Sequence, residues 1–162
     1  MTEAAPEGAG WRPCAGVVLR DGAGRVFLGR RRSLPADAPH GWQMPQGGID
    51  AGEDAAAAAL RELREETGIP PALAALERVA TAPVRYDLPP DMVPARWRGR
   101  WRGQAITWVV LRFRGTDADV NLDGEHPEFD AWRWAEPKDA LSGVVPFKRE
   151  AYKAALRLLE EP

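Results

Sequence analysis

A run of glutamates and arginines between residues 47 and 69 has the spacing of a metal-binding helix. Its fixed positions are, in order, Gly47-x5-Glu53-x7-Arg61-Glu62-Leu63-x-Glu65-Glu66-x-Gly68-Ile69. Residues three and four apart share one face of a helix, so the carboxylates of Glu62, Glu65 and Glu66 should emerge near a common point. Like charges at this spacing repel each other, and a bound cation would remove that penalty. The spacing therefore predicts a cation site on one helix face.

The ion that suits such a site is Mg²⁺, because hard divalent ions take carboxylate, water and phosphate oxygens as ligands. Hydrolysis of a phosphoanhydride needs the phosphate charge neutralised and a water deprotonated, and bound metal ions assist both. Zinc is not expected, since His40 and His126 stand alone in predicted loops and Cys14 has no partner at ligand spacing. The pattern favours Mg²⁺-dependent hydrolysis of a phosphoanhydride, with Mn²⁺ as a substitute ion.

The residues around the glutamates suggest how the site is supported. Arg61 lies four residues before Glu65 and can brace the carboxylates, while Glu53 can support the start of the helix. Gly47 and Gly48 allow the backbone to approach a metal closely. The alternative is an ordinary solvated helix with a salt-bridged face, which is the usual fate of such a pattern. The glycine-rich turn at a fixed distance upstream favours the functional interpretation.

The elements that must position this motif can be read from periodicity and turn residues. A helix over residues 54–67 is predicted, because the segment lacks Gly and Pro until Gly68 ends it. Gly47 and Gly48 are predicted to open a turn before it. The other predicted elements are a hairpin of strands 14–19 and 25–30, a loop at 33–41, an extended piece at 42–44, strands at 77–88, 104–113 and 131–135, and an amphipathic helix at 147–160.

The bulk properties describe an ordinary globular chain. Its 162 residues are 44% hydrophobic and 28% charged, with a net charge of -2, which gives no overall attraction to nucleic acid or membrane. No leader or membrane-spanning pattern is visible, and one cysteine fits a reducing compartment. We expect a flexible tail at residues 1–10, a single domain over 11–162, a cytoplasmic location and, by default, a monomer.

The motif at residues 47–69 is similar to the Nudix box, and the chain resembles Nudix hydrolases. That resemblance implies an α/β fold, an α/β/α sandwich with a mixed β-sheet, in which the box forms a loop, a helix and a second loop. It also implies hydrolysis of a nucleoside diphosphate linked to a further moiety. Several segments resemble the bacterial RNA pyrophosphohydrolase and dinucleoside polyphosphate hydrolase group, namely Trp11-Arg12-Pro13, Arg30-Arg31, residues 42–50, residues 85–89, Pro127-Glu128-Phe129, Trp132-Arg133-Trp134 and residues 145–149.

The resemblance also assigns roles to individual residues. It implies that Glu128 joins the box glutamates as a metal ligand, so that the expected metal-site residues are Gly47, Glu62, Glu65, Glu66 and Glu128. The expected catalytic residues are Glu62, as general base, and Arg61. Residues expected to line the nucleotide and phosphate path are Arg12, Arg31, Tyr86, Phe147 and Lys148. An aromatic ring to stack a base and cations to meet phosphate are the physical requirements of such a path.

The substrate is less sharply defined than the reaction. The leading prediction is removal of pyrophosphate from the 5′-triphosphate end of RNA, and the alternative is a dinucleoside polyphosphate. The strand segment from Gln104 to Trp108 lacks a lysine that many similar proteins carry before the tryptophan. A non-catalytic nucleotide- or RNA-binding module and an enzyme for nucleoside diphosphate sugars or oxidised nucleotides are further alternatives. The arginine- and tryptophan-rich segment 96–102 suits a polyanion or, equally, a surface loop anchored by its two tryptophans.

Overall fold

A mixed β-sheet with helices on both faces forms the framework of the protein. The computed structural model describes residues 10–97 and 99–161. The strands are β1 (Gly10–Arg20), β2 (Val26–Arg31), β3 (Trp42–Gln43), β4 (Gln46–Gly48), β5 (Ala74–Val79), β6 (Val84–Asp87), β7 (Trp101–Phe113) and β8 (Phe129–Ala135). The helices are α1 (Ala55–Thr67), α2 (Pro137–Gly143) and α3 (Arg149–Glu160).

Strands β1 and β7 form the parallel centre of the sheet, running in register from Trp11 opposite Gly103 to Arg20 opposite Arg112. The path through the sheet is β3-β2-β1-β7-β5. The remaining pairs are antiparallel: β4 lies against β1, β6 against β7, and β8 against β2. The mixed sheet predicted from the resemblance is therefore confirmed.

The central strand β1 is buried on both faces, which is the mark of a strand between two helical layers. Cys14 and Val18 pack in the core that includes residues of α2 and α3. Ala15, Val17 and Leu19 alternate with them and pack in the core formed with α1. This period of two confirms the α/β/α sandwich. Cys14 is buried, and its burial raises the pKa of its thiol to about 11.

Most of the predicted elements appear close to their expected bounds. Helix α1 begins one residue later than predicted, after Asp54, and ends at Thr67. The hairpin is present, and its turn is held by the Asp21 carboxylate, which accepts hydrogen bonds from the backbone N–H groups of Ala23 and Arg25. However, β1 and β2 pair only at Arg20 and Val26, because the rest of β2 pairs with β8.

Three elements differ from what the sequence predicted. The single strand expected over residues 77–88 is two strands, since β5 ends at Val79 and β6 begins at Val84. Helix α2 was not predicted, because its seven residues are too few to show a helical period. Helix α3 begins at Arg149, after a single 3-10 turn over Pro146–Lys148, and not at residue 147.

The N-terminal tail predicted for residues 1–10 lies, apart from Gly10, outside the described residues, and Gly10 already belongs to β1. The single domain over residues 11–162 stays a prediction. None of the helices described here is long and apolar enough to cross a membrane.

Candidate active site

Helix α1 carries the candidate glutamates and is fixed at both ends by its own sequence. The Asp54 carboxylate caps the first turn by accepting a hydrogen bond from the N–H of Ala57 at 2.8 Å. Gly68 ends the helix in the left-handed region, with φ of 74°. Ala59 and Leu63 are fully buried against the sheet. The face of the helix that carries the glutamates therefore points away from this core.

The four glutamates predicted as metal ligands line one cleft, whose volume is about 430 Å³. Glu62, Glu65 and Glu66 come from α1, and Glu128 comes from the segment before β8. The other lining residues are Arg64, Gly124, Glu125 and His126. The structure thus brings Glu128 to the box glutamates from a distant part of the sequence.

The position of Glu128 is fixed by its neighbours in the chain. Its backbone carbonyl accepts a hydrogen bond from the N–H of Arg32 at 2.8 Å. The next residue, Phe129, is fully buried, and its ring lies directly against Gly29, where a Cβ atom would overlap the ring. The exposed Glu128 side chain is consequently attached to a rigid point of the sheet.

Burial and mutual repulsion oppose the negative charge in this cleft. Glu66 is only 6% exposed, and burial, followed by the charges of Glu62 and Glu128, raises its pKa well above the ordinary range. The backbone N–H of Gln46 donates a hydrogen bond to Glu66 at 3.2 Å, which opposes this rise. Burial also raises the pKa of Glu62, and Arg61 offsets part of that effect. A cation in the cleft would stabilise the charged form of both carboxylates and lower their pKa values.

The donor set fits a hard divalent ion in its chemistry, since carboxylate oxygens are what Mg²⁺ prefers. Within residues 10–97 and 99–161, however, no three His, Cys, Asp or Glu side chains converge closely enough to form a ready-made metal site. In this structure Arg61 draws Glu62 and Glu65 toward itself, with Nη1–O distances of 2.8 and 3.3 Å. Arg61 therefore competes with any bound ion for the oxygens of these two carboxylates.

Arg61 is a hub of hydrogen bonds within the motif. It donates to both carboxylate oxygens of Glu53, at 2.8 and 2.9 Å, and to the backbone carbonyl of Gly48 at 2.8 Å. Its contact with Glu65 is the one that the i, i+4 spacing predicts. These contacts tie the helix to β4 and make Arg61 a residue that positions the glutamates. Its predicted catalytic role stays a prediction.

Gly47 and Gly48 do not form the predicted turn, because both lie in β4 and pair with β1. Their lack of a side chain is nonetheless required. A Cβ atom at Gly47 would overlap the carboxylate of Glu62, and one at Gly48 would overlap the guanidinium of Arg12. The two glycines therefore allow a carboxylate and an arginine to lie flat against the strand.

Four of the predicted substrate-path residues gather beside the cleft, on the side of β6 and α3. The rings of Tyr86 and Phe147 are 6.1 Å apart between centroids. Lys148 is 7% exposed and donates to the side-chain oxygen of Gln46 at 3.3 Å. Burial, and then the charge of Arg31, lowers the pKa of Lys148 to about 8, whereas Glu66 opposes this change. The fifth residue, Arg12, packs on Gly48 at the other end of β4.

Two glutamines, the half-buried Gln46 and the buried Gln104, complete this group and were not identified from the sequence. The side-chain amide of Gln46 donates to Gln104 at 3.0 Å, and the hydroxyl of Tyr86 donates to the same Gln104 oxygen. Burial raises the pKa of the Tyr86 hydroxyl, so it stays protonated and can donate. Three strands, β4, β6 and β7, contribute these residues. No local pattern links positions so far apart, and only the strand pairing brings them together.

The arginine- and tryptophan-rich segment combines features of both sequence interpretations. Trp97 is buried, at 6% exposure, and the guanidinium of Arg12 lies 5.4 Å from its ring centroid. Trp101 is half-buried, and Arg100 lies 4.9 Å from its ring centroid. Arg98 lies outside the described residues. Trp97 thus anchors the segment, while Arg100 stays exposed.

Comparison with known proteins finds a NUDIX domain over residues 10–156. An RNA pyrophosphohydrolase from Dinoroseobacter shibae is 55% identical over 147 residues, which covers 88% of each chain. A second RNA pyrophosphohydrolase, from Roseobacter denitrificans, is 51% identical over 150 residues, or 93% of this chain and 92% of that protein.

Solved structures share the architecture at lower identity. An Ap4A hydrolase from C. elegans, in a binary complex, matches with a TM-score of 0.61 and 22% identity over 91% of this chain and 98% of that one. The MutT protein from Methanosarcina mazei Go1 matches with a TM-score of 0.62 and 19% identity over 96% of this chain and 100% of that one. These two likenesses concern the fold alone.

Proposed function

The chain belongs to the Nudix hydrolase family, and from that premise we propose that it removes pyrophosphate from the 5′-triphosphate end of RNA. Two relatives that share more than half of its residues over most of its length carry the name of that activity. The observation in the structure that supports the proposal most directly is the cleft itself. Four glutamates line it, and the buried Lys148 lies next to it, where a polyphosphate would need a cation.

Nudix hydrolases generally use divalent metals such as Mg²⁺, which neutralise phosphate charge and favour deprotonation of water when bound. We propose Glu62, Glu65, Glu66 and Glu128 as the residues that would hold the ion, with the backbone of Gly47 close by. Mn²⁺ is a chemically similar substitute. The raised pKa of Glu66 supports this assignment, because an anion disfavoured by burial gains most from a cation.

Glu62 is the proposed general base for the attacking water. Burial raises its pKa, so the carboxylate accepts a proton more readily than an exposed glutamate does. Its side chain is held between the backbone at Gly47 and the guanidinium of Arg61. Arg61 supplies orientation in this proposal, since it donates to Glu62 and is itself fixed by Glu53.

The substrate end of the proposed site combines cations with an aromatic ring. Lys148 and Arg31 are assigned to the phosphates, together with Arg12 on the far side of β4. Phe147 is half-exposed and offers a face for the first bases, whereas Tyr86 is buried behind it. A base stacked on Phe147 is held without sequence selectivity, because every base has a π-face.

The substrate test is a competition in the presence of Mg²⁺. Triphosphorylated RNA, diadenosine tetraphosphate and ADP-ribose are compared by kcat/KM on the same preparation. We expect triphosphorylated RNA to be preferred and pyrophosphate to be released. A preference for diadenosine tetraphosphate would move the assignment to dinucleoside polyphosphates, and a preference for ADP-ribose would overturn it. Tight binding of all three without turnover would indicate a binding module instead.

The nature of the proposed substrate sets the expected partners. RNA or a dinucleoside polyphosphate binds at the cleft, and no membrane partner is implied. The cytoplasmic location and the monomeric state stay predictions.

A further inference from the structure

A cationic and aromatic surface lies at the end of the sheet where β1 begins, and none of the roles assigned above uses it. We call it the Arg/Trp surface. Its members are Trp11, Arg85, Asp87, Arg100, Trp101 and Arg102. They come from the start of β1, from β6, and from the beginning of β7 with the turn before it.

Close packing of three strands creates this surface. In the strand register, Gly103 of β7 lies opposite both Trp11 of β1 and Asp87 of β6. A Cβ atom at Gly103 would overlap the backbone of Tyr86 and Asp87, so glycine allows the strands to approach. The indole N–H of Trp11 then donates to Asp87 at 2.9 Å.

The single acid of the surface is fully engaged. Arg102 donates to both carboxylate oxygens of Asp87, at 3.1 and 2.7 Å, while Trp11 donates to one of them. Arg102, and then Trp11, lowers the pKa of the Asp87 carboxyl. Asp87 therefore orients Arg102 and Trp11, and its charge is already balanced by Arg102.

The arginines are stacked on tryptophan rings. Arg85 and Arg102 lie 4.8 and 5.0 Å from the ring centroid of Trp11, and Arg100 lies 4.9 Å from that of Trp101. Stacking orders a guanidinium and leaves its N–H edges free to donate. Arg85 and Arg100 are exposed. In a protein with a net charge of -2, three arginines against one acid make this a local cationic surface.

The surface approaches the cleft through Arg12, whose positive charge acts on the cleft residue Glu62. Arg12 follows Trp11 in β1, packs on Gly48 and lies over Trp97. The N–H of Arg100 in turn donates to the carbonyl of Trp97 at 2.8 Å. A chain of contacts therefore links the motif strand β4 to the Arg/Trp surface.

We propose that the Arg/Trp surface binds the single-stranded body of an RNA whose 5′ end occupies the cleft. The proposal rests on the function proposed above. Ordered guanidinium groups meet phosphates with charge-assisted hydrogen bonds, and their planes and the tryptophan rings stack on unpaired bases. These contacts carry no base-specific donor pattern. The surface therefore adds affinity for the RNA without selecting its sequence.

The test compares substrate lengths. The kcat/KM of the wild type is measured on a triphosphorylated dinucleotide and on a triphosphorylated single-stranded RNA of about 20 nucleotides that begins with the same two bases. The test variant is Arg85→Glu/Arg100→Glu. Its control is Arg114→Glu/Arg157→Glu, which makes the same charge change at exposed positions. Arg114 follows the opposite end of strand β7, nine residues beyond Ala105, the partner of Arg85, which corresponds to about 30 Å along an extended strand.

The expected result is that the wild type prefers the longer RNA and that only the test variant loses this preference, with its activity on the dinucleotide unchanged. For two lost phosphate contacts, the log–log dependence of kcat/KM on salt should become shallower by about 1.4 for the long RNA. Equal loss on both substrates, or an equal effect of the control variant, would overturn the proposal. The neutral pair Arg85→Gln/Arg100→Gln gives the same comparison if the glutamates disturb folding.

A binding measurement separates this proposal from the proposed reaction. A 5′-hydroxyl single-stranded RNA of the same length has no triphosphate to hydrolyse, so its affinity does not depend on the proposed reaction. Fluorescence anisotropy should show weaker binding to the test variant than to the control variant. Equal affinities would overturn the surface, even where triphosphorylated RNA is hydrolysed. If triphosphorylated RNA is not hydrolysed but the test variant still binds the 5′-hydroxyl RNA more weakly than the control variant, the result counts against the proposed function only.

Discussion

Glu66 combines the deepest burial in the cleft with the strongest opposition to its own charge. The variant Glu66→Gln keeps the shape of the side chain and removes the charge. We expect Mg²⁺-dependent kcat/KM to fall by more than about 100-fold, since loss of a group that merely supports a metal ligand already costs about 10- to 100-fold. The thermal transition should stay cooperative.

The control for this prediction is Glu125→Gln, which alters another acid of the same cleft that has no assigned role. It should retain near wild-type turnover. Unchanged activity in Glu66→Gln would remove Glu66 from the metal-site assignment.

Glu53 allows a prediction about pH. The hydrogen bonds from Arg61, and then the backbone N–H of Asp50, lower its pKa from 4.5 to about 2. Between these values the unfolded chain binds more protons than the folded chain, so this group's stabilisation grows as pH rises and is complete above about pH 4.5. The stability difference between wild type and Glu53→Gln should therefore be constant above that pH and shrink toward pH 2. Urea denaturation across this range measures it, and a difference independent of pH would contradict the ion pair as its source.

At the scale of elements, helix α1 offers a test of how its end is fixed. Gly68 has φ of 74°, and a Cβ atom there would lie 2.9 Å from the backbone oxygen of Asn121. We expect Gly68→Ala to lower the free energy of unfolding by about 1–2 kcal/mol for the left-handed conformation, and further for the close contact. Gly52→Ala is the matched control, because Gly52 has φ of 79° with nothing within 4 Å. Equal losses in the two variants would show that the contact with Asn121 contributes nothing.

The elements also show which features a sequence can predict. Helix α1 was predicted almost to the residue because the absence of Gly and Pro within it and the terminal Gly68 are local signals. Gly47 and Gly48 were expected to form a turn because glycine usually does so, yet pairing with β1 overrides that local preference. Strands β5 and β6 were fused into one for the same reason, since their common partner β7 decides where each begins.

The residues of the candidate site also differ in how far the sequence predicts them. Three of its glutamates share one helix, so their spacing alone placed them together. Glu128 could be assigned only by resemblance to a family, since an exposed acid in a loop has no local signal. Gln46 and Gln104 were missed because their amide contact depends on three strands meeting, which no single stretch of sequence encodes.

At the scale of the whole molecule, the sheet separates two cores. Leu63 belongs to the core under α1, and Tyr152 belongs to the core on the opposite face. The hydroxyl of Tyr152 accepts a hydrogen bond from the N–H of Met44 at 2.8 Å. Leu63→Ala should cost about 2–5 kcal/mol of unfolding free energy, and Tyr152→Phe about 1–3 kcal/mol, because it leaves a buried donor unpaired.

The double variant should lose the sum of the two single losses to within about 0.5 kcal/mol, since the residues share no partner. Urea denaturation of the four proteins provides the comparison. A coupling well above that margin would mean that the sheet transmits strain between its faces.

The ring of Phe129, seated on Gly29, has a consequence for how this protein can evolve. The ring occupies the volume in which a side chain at position 29 would begin. A residue larger than glycine therefore fits at position 29 only if position 129 carries a smaller side chain. A side chain gained first at position 29 would overlap the ring, so the two sites are expected to change as a compensating pair. Because Glu128 directly precedes Phe129, the backbone that carries one acid of the cleft is constrained by Gly29, a residue with no assigned role in the site.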